Sequence, residues 1–203
     1  MADAPELDLP ARKTALRAEL RRRRLALSPR YRRQAALALA RHCRRWLRRE
    51  HTLAAYLSHG SEIDTRPLLS AARARGCRVL LPVVPARDRR LRFTALDARP
   101  RWRANRYGIP ECLGPRVPLS RATHVLLPLL GFDAAGRRLG QGGGFYDTTL
   151  AALRARPGRA KLIGLAYAAQ RLAEVPCEAW DQRLDAVVTE HGVSRVWTAQ
   201  EAA

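Results

Sequence analysis

The segment between Arg138 and Asp147 combines residue types that could bind a phosphorylated ligand. Its glycines are Gly140, Gly142, Gly143 and Gly144. An apolar strand pattern precedes the segment and a helical pattern follows it, so backbone N–H groups would be open to an anion at the start of a helix. The spacing matches neither G-x-x-x-x-G-K-[ST] nor G-x-G-x-x-G. The alternative interpretation is a glycine-rich turn that only lets the helix pack closely on the sheet.

The charged residues at the ends of this segment would complement a phosphate site. Arg138 carries a fork of donors suited to phosphate oxygens, and Asp147 could hold Mg²⁺ beside the same phosphates. Taken alone, Asp147 is also typical of a first-turn carboxylate that the helix dipole stabilises. The adjoining cation, glycine-rich backbone and carboxylate together favour binding of a nucleotide phosphate and its metal.

Five segments of the chain resemble, in order, the motifs of one known family. Around the glycines they are Gly131-Phe132-Asp133, Gly136, Arg138-Leu139-Gly140, Gly142, Gly144 and Tyr146-Asp147. The others are Lys13-Thr14-Ala15-Leu16-Arg17, Ser61-Glu62-Ile63-Asp64-Thr65, Tyr107-Gly108-Ile109-Pro110-Glu111 and Val175-Pro176-Cys177-Glu178-Ala179-Trp180-Asp181, continuing to Val188-Thr189-Glu190. The family is the 5-formyltetrahydrofolate cyclo-ligases. Two positions depart from its pattern: Phe145, where many relatives have tyrosine, and Cys112, where proline is common.

The resemblance implies an ATP- and Mg²⁺-dependent ligase that converts 5-formyltetrahydrofolate to the 5,10-methenyl form. The implied ATP-binding residues are Lys13, Thr14, Ala15, Leu16, Arg17, Arg138, Leu139, Gly140, Gln141, Gly142, Gly143, Gly144, Phe145 and Tyr146. The implied substrate-binding residues are Leu57, Glu62, Tyr107 and Phe145, and the implied metal ligands are Asp147 and Asp181. Arg138 is the implied catalytic residue, because phosphoryl transfer depends on neutralising phosphate charge.

The implied chemistry explains why ATP is needed. The formyl oxygen would have to leave as water unless phosphorylation made it a better leaving group. The resemblance implies that this oxygen attacks the γ-phosphate of ATP. The N10 amine of the folate then closes the ring and expels phosphate. Glu62 is expected to accept hydrogen bonds from the pterin N–H groups.

Apolar periodicity indicates how these residues are positioned. The predicted helices cover 11–27, 31–49, 65–75 and 145–156, and the predicted strands cover 52–57, 77–84, 91–96, 123–130, 162–166 and 184–189. Residues 99–118, rich in proline, are predicted to form a long surface loop, and a short tail is expected after the last strand. The order predicts an α/β fold: a layered α/β/α sandwich with a mainly parallel central sheet and a helical N-terminus, in one domain over 1–203.

The net charge of +20 is the strongest compositional signal and would attract any polyanion. The run from Arg21 to Arg24 lies in a helical pattern and is interpreted as a solvated face. A basic RNA-binding protein is the main alternative function, but no nucleic-acid-binding motif is present, so no specific nucleic acid is expected. An enzyme acting on a sugar phosphate or coenzyme A through a similar scaffold is the third alternative.

Cysteine spacing and hydropathy indicate the cellular compartment in which the protein is expected. Cys43, Cys77, Cys112 and Cys177 are too scattered for a zinc site or a disulfide framework. No apolar run reaches the roughly 18 residues of a membrane span. The chain is therefore expected to be cytoplasmic. A monomer is the expected oligomeric state.

Overall fold

The central sheet has seven strands within the residues that the computed structural model describes, which are 8–154, 160–178 and 180–196. Two further pairs of strands, β4 with β5 and β7 with β8, form small separate sheets. In chain order the strands are β1 Thr52–Ala54, β2 Arg78–Val83, β3 Arg92–Ala95, β4 Arg101–Ala104, β5 Pro110–Leu113, β6 His124–Pro128, β7 Gly131–Phe132, β8 Arg138–Leu139, β9 Lys161–Leu165, β10 Ala186–Thr189 and β11 Gly192–Arg195. The α-helices are α1 Leu9–Leu25, α2 Pro29–His42, α3 Arg66–Ala74 and α4 Phe145–Arg154.

The order of the strands creates a switch point beside β1. The sheet runs β11-β10-β9-β6-β1-β2-β3, with parallel pairing from β10 to β2 and antiparallel strands at both edges. The chain passes from β1 to β2 on one side and from β6 through β9 to β10 on the other. Ligands of open α/β sheets bind outside the carboxyl ends of the strands where the order reverses. The predicted, mainly parallel sheet is confirmed, and the switch point lies between β1 and β6.

Helices cover both faces of this sheet, which confirms the predicted α/β/α layers. On one face, Leu39 of α2 and Leu68 of α3 share a buried cluster with Leu53 of β1. On the other face, Leu150 of α4 shares a buried cluster with Leu127 of β6. Each fully buried leucine stabilises the fold by roughly 1.5–3 kcal/mol relative to exposure. No α-helix in the described part of the chain is long and apolar enough to cross a bilayer.

The N-terminus is helical, as predicted, but the second helix is an α-helix only in its first part and continues as a 3-10 helix. Ser28 Oγ caps α2 by accepting a hydrogen bond from the N–H of Tyr31 at 3.2 Å. The prediction of one helix over 31–49 is wrong at its end, because α2 is followed by a 3-10 helix at Cys43–Trp46. The chain then leaves the helix and buries Leu47 in the core.

The first strand is shorter than the predicted range 52–57. It ends at Ala54, and the carbonyl of Tyr56 accepts a hydrogen bond from Thr65 Oγ1 at 2.8 Å. The N–H of Ser58 donates to the same hydroxyl at 3.2 Å. Side-chain hydrogen bonds therefore replace strand pairing at the carboxyl end of β1, where the switch point lies.

The prediction of an irregular loop over 99–118 is wrong, because β4 and β5 form an antiparallel hairpin there. The connecting turn depends on Asn105, whose Oδ1 accepts from the N–H of Ile109 at 3.1 Å. Thr94 Oγ1 donates to the carbonyl of Cys112 at 2.9 Å and fixes the hairpin beside β3. An amide side chain and contacts from a distant strand thus override the local proline signal.

The predicted tail after residue 189 is also wrong, because β11 pairs antiparallel with β10. Gly192 lies opposite Thr189, so the connection is a tight turn. This reversal was missed because only a short polar segment separates the two strands. The end of the helix predicted over 145–156 and Ala179 of the closing motif lie outside the described residues.

Candidate active site

The glycine-rich loop connects β8 to α4 beyond the carboxyl end of β6. Gly142 and Gly144 have φ angles of +101° and +69°, which residues with a Cβ rarely adopt. The loop can therefore expose its backbone at the start of α4, where partial positive charge favours anions. The predicted connection from strand to glycine loop to helix is present.

A buried carboxylate fixes the segment just before this loop. Asp133 accepts hydrogen bonds from the N–H groups of Ala135 and Arg137 and from Arg137 Nε at 2.5 Å. Its Oδ2 also accepts from the N–H of Val175 at 2.9 Å. Asp133 therefore joins the glycine signature to the closing motif.

Arg138 and Asp147 meet across the loop. Arg138 Nη2 donates to Asp147 Oδ1, and the Arg138 side chain is 3% exposed. Arg138 Nε is buried without a hydrogen-bond partner in the described structure. A buried donor of this kind is usually satisfied by water or a ligand. The arginine is thus held by one carboxylate and retains a free donor.

One face of α1 lies against the glycine loop. Arg17 Nε donates to the carbonyl of Gly140 at 3.1 Å, and Arg21 Nη2 donates to Gln141 Oε1 at 3.2 Å. Arg24 is on the same face, because residues spaced by three and four align along a helix. The first helix therefore supplies a row of basic side chains to the site.

Lys13, one helical turn before Arg17, binds the closing motif. Its Nζ lies 2.6 Å from Glu178 Oε2 and 3.0 Å from Asp181 Oδ2. Burial opposes the charged ammonium, but hydrogen bonds to Glu178 and Asp181 outweigh it and raise the pKa of Lys13. The pair of carboxylates thus keeps the ammonium charged at the edge of the site.

Glu62 connects the segment after β1 to the glycine loop. Its carboxylate accepts from the N–H of His59 at 3.0 Å and from Gln141 Nε2 at 3.3 Å. Burial raises the pKa of Glu62, although these hydrogen bonds and the charge of Arg24 oppose the shift. The group is therefore a desolvated acceptor whose bond to Gln141 links it to the loop.

Aromatic and apolar side chains form the remaining wall. The rings of Tyr107 and Phe145 meet edge to face, with centroids 6.4 Å apart and planes at 81°. Leu57 lies on the segment after β1, next to Tyr56. These surfaces suit a planar ring with polar groups at its edge.

All of these elements surround one cavity of about 730 Å³. This volume is within the usual range of roughly 300–1,000 Å³ for small-molecule sites. The predicted site residues that line it are Lys13, Arg17, Leu57, Glu62, Tyr107, Arg138, Leu139, Gly140, Gln141, Gly142, Gly143, Gly144, Phe145, Tyr146, Asp147 and Asp181. Residues from five distant segments therefore share one space.

Three residues of the predicted ATP-contacting segment do not line this cavity. Thr14 is exposed and its hydroxyl donates to the carbonyl of Pro10 at 2.9 Å, and Ala15 is also exposed. Leu16 packs against the small apolar cluster that includes Leu20. The helical period explains this placement, because only Lys13 and Arg17 of this segment face the cavity.

The two predicted metal ligands line the same cavity, but each is paired with a basic residue. Asp147 contacts Arg138, and Asp181 contacts Lys13. The described residues contain no group of three or more His, Cys, Asp or Glu side chains that could hold a metal. Mg²⁺ commonly takes only one or two carboxylates and completes its shell with phosphates and water. The donor types therefore fit a magnesium ion that arrives with a nucleotide.

Several residues of the cavity wall were missed as site residues at the sequence level. They are Arg21, Arg24, Tyr56, Asn105, Glu111, Glu178 and Trp180. The interpretation of residues 21–24 as a solvated face is wrong for Arg24, which is 3% exposed. The spacing of Lys13, Arg17, Arg21 and Arg24 by three and four was the signal that could have identified this face.

The fold and the cavity define an α/β protein with a cavity at the carboxyl ends of a mainly parallel sheet. The chain belongs to the 5-formyltetrahydrofolate cyclo-ligase family, whose sequence model matches residues 10–190. It is 38% identical over 154 residues to the 5-formyltetrahydrofolate cyclo-ligase of Escherichia coli, covering 72% of this chain and 80% of the relative. The Haemophilus influenzae enzyme of the same name is 31% identical over 175 residues, covering 82% and 91%.

A solved structure shows the same fold. The NMR structure of Aquifex aeolicus 5,10-methenyltetrahydrofolate synthetase matches with a TM-score of 0.77 and 26% identity. The match covers 92% of this chain and 94% of that protein. The arrangement of sheet and helices is therefore shared along nearly the whole length.

Proposed function

We propose that this protein catalyses the ATP- and Mg²⁺-dependent cyclisation of 5-formyltetrahydrofolate to 5,10-methenyltetrahydrofolate, with release of ADP and phosphate. The observation that carries the proposal is the shared cavity of Glu62, Arg138 and Asp147. The names and similarity of the relatives support the same substrate. A carboxylate suited to pterin N–H groups and a loop suited to phosphate thus face each other.

The nucleotide phosphates are assigned to the glycine loop and to Lys13 and Arg17 of α1. Arg17 is fixed by the Gly140 carbonyl, and the buried Arg138 retains an unsatisfied Nε donor. Donors held in place before the reaction stabilise developing negative charge without reorganisation. Asp147 and Asp181 would hold Mg²⁺, which supplies further neutralisation of phosphate charge when bound.

The folate is assigned to Glu62 and the aromatic wall. Glu62 would accept from the N–H groups of the pterin ring, and Leu57, Tyr107 and Phe145 would border its faces. Because Gln141 joins Glu62 to the loop, the reduced ring would be held next to the nucleotide. Proximity of this kind can supply roughly 7–11 kcal/mol of the barrier reduction.

The reaction then follows from the positions of the two ligands. The formyl oxygen attacks the γ-phosphorus, the bond to the β-phosphate oxygen breaks, and ADP leaves. N10 attacks the activated formyl carbon and loses its proton, and the carbon–oxygen bond breaks to release phosphate. Arg138 would stabilise the charge on the transferred group throughout, so no strong protein base is required.

An optical assay of the methenyl product tests this proposal. Wild-type protein is expected to form product only with both ATP and magnesium, and Asp147→Asn is expected to lose most of its magnesium-dependent turnover. Asp88→Asn is the matched control, because Asp88 is an exposed aspartate that pairs with Arg92 outside the cavity. Equal product formation without ATP would refute the mechanism, and loss of native circular dichroism in Asp147→Asn would make that residue structural.

A further inference from the structure

Two buried polar side chains of the cavity wall, Arg24 and Tyr56, each have one atom without a hydrogen-bond partner in the described structure. Arg24 is 3% exposed and Tyr56 is 4% exposed, and both line the cavity. Neither Arg24 Nε nor the Tyr56 hydroxyl has a hydrogen-bond partner in the described part of the chain. A buried polar group without a partner is costly, and a charged one more so. Both groups are therefore expected to meet a polar atom of a ligand.

Both side chains are carried by firmly held backbone. The carbonyl of Arg24 accepts from Arg32 Nη2 at 2.6 Å, which fixes the end of α1. The carbonyl of Tyr56 accepts from Thr65 Oγ1 at 2.8 Å, which fixes the segment after β1. Rigid support of this kind is what a selective site requires. The two groups are thus placed in advance of ligand binding.

The charge environment of this pair includes Glu62. Burial lowers the pKa of Arg24, and the negative charge of Glu62 opposes that shift. Burial likewise raises the pKa of Tyr56, and the charge of Glu62 adds to the shift. The Tyr56 hydroxyl therefore stays protonated. Two donors and a carboxylate acceptor are consequently combined in one part of the cavity.

We propose that Arg24 and Tyr56 donate hydrogen bonds to the ring carbonyl oxygen of the bound pterin while Glu62 accepts from the adjacent N–H groups. The inference rests on the proposed folate substrate. The pyrimidinone edge of a pterin presents an amino group, a ring N–H and a carbonyl oxygen side by side. Glu62 complements the two donors of this edge, and Arg24 with Tyr56 complements the acceptor.

This arrangement makes the pair a specificity determinant for 4-oxo over 4-amino pterins. A 4-amino group is a donor, so it would leave the donor-only guanidinium of Arg24 unsatisfied and would force the Tyr56 hydroxyl to accept instead of donate. Sites built to hydrogen-bond a substrate group reject analogues that lack it, because their own buried groups then remain unpaired. The discrimination should appear in binding of the folate and leave the phosphoryl transfer step largely unchanged.

Calorimetry without nucleotide tests the proposal with 5-formyltetrahydrofolate and its 4-amino counterpart. Tyr56→Phe should weaken binding of the 4-oxo ligand about fivefold and Arg24→Met about 30-fold, because a neutral and a charged donor are lost. Binding of the 4-amino ligand should weaken by a smaller factor than binding of the 4-oxo ligand, so the preference shrinks in both variants. Arg23→Met is the control, since Arg23 is the exposed neighbour that pairs with Glu19.

Equal weakening of both ligands, or no change for either, would overturn the inference even if wild-type protein makes the methenyl product. Failure of wild-type protein to bind the 4-oxo ligand or to form product would instead reject the proposed function. If Arg24→Met does not fold, as judged by circular dichroism, Tyr56→Phe decides the question, because it keeps the ring and removes only the hydroxyl.

Discussion

Gln141 in the glycine-rich loop donates from Nε2 to Oε1 of Glu62 at 3.3 Å, across 79 positions of sequence. This hydrogen bond joins the loop assigned to nucleotide phosphate with the carboxylate assigned to the pterin. Arg21 Nη2 donates to the other end of the same amide at 3.2 Å. The two halves of the site are therefore in direct contact before either ligand binds.

Removing the hydrogen bond between Gln141 and Glu62 should weaken the binding of the folate substrate. We expect Gln141→Ala to raise the KM for 5-formyltetrahydrofolate by about fivefold, because Glu62 loses a neutral hydrogen bond that orients it. Steady-state kinetics at varied concentrations of both substrates measures the effect. Gln182→Ala is the control, since Gln182 does not line the cavity and donates to the carbonyl of Trp180. Unchanged KM values in Gln141→Ala would show that the contact is incidental.

Glu62 should lower the stability of the free protein at neutral pH. Burial raises its pKa above the ordinary value of 4.5, so the folded state binds a proton more readily than the unfolded state. The ionised form is therefore unfavourable at a pH above the folded pKa, and the penalty fades as the pH falls through that pKa and is absent below about 4.5.

We accordingly expect Glu62→Gln to have a higher Tm than wild type at pH 7.5, no advantage below pH 4, and much weaker folate binding. Thermal denaturation at both pH values measures the first two effects. The exposed Glu50→Gln is the control and should leave Tm unchanged. A lower Tm for Glu62→Gln at pH 7.5 would mean that its hydrogen bonds outweigh its desolvation.

Within the segment 13–17, only the side that carries Lys13 and Arg17 should bind nucleotide. We predict that Arg17→Met raises the KM for ATP about tenfold or more, because a charged donor held against the loop is lost. Thr14→Val should leave that KM unchanged, since Thr14 is exposed and lies outside the cavity. Initial rates at varied ATP test the pair. Equal effects of the two variants would show that the segment acts through helix stability.

Asp133 should be structural, although it belongs to the signature of the site. Its carboxylate is 2% exposed and accepts from Arg137 Nε and from the N–H of Val175. We expect Asp133→Ala to lower the free energy of unfolding by about 3–5 kcal/mol, because the backbone N–H groups of Ala135, Arg137 and Val175 lose a buried charged acceptor. Urea denaturation measures the change, with the exposed Asp88→Ala as control. A loss below 1 kcal/mol would contradict this role.

Regular elements were predictable from local patterns. The apolar runs at β6 and β9 and the helix between them follow from period and glycine placement, and these fix the position of the loop. The hairpin of β4 and β5 was not predictable in this way. The turn of this hairpin depends on the side chain of Asn105. The position of the hairpin depends on Glu111, which accepts a hydrogen bond from the N–H of Val84 at 2.7 Å. Contacts between distant segments decide such elements.

The site residues also divide into those that local sequence patterns predict and those that depend on contacts between distant segments. Lys13 was predicted from motif order, Arg138 and Asp147 also from their places beside the glycines, and the structure brings all three to one cavity. Arg24 was missed because charged residues in a helical pattern are usually solvated. Its burial follows from how α1 crosses the carboxyl end of the sheet, which no local pattern contains.

The central claim is that ATP phosphorylates the formyl oxygen of a folate held in this cavity. Turnover of 5-formyltetrahydrofolate carrying ¹⁸O in the formyl group tests it most directly, with the released phosphate analysed by mass spectrometry. The account predicts that each phosphate released with methenyl product contains one labelled oxygen. Unlabelled phosphate, with the label recovered in water, would contradict it.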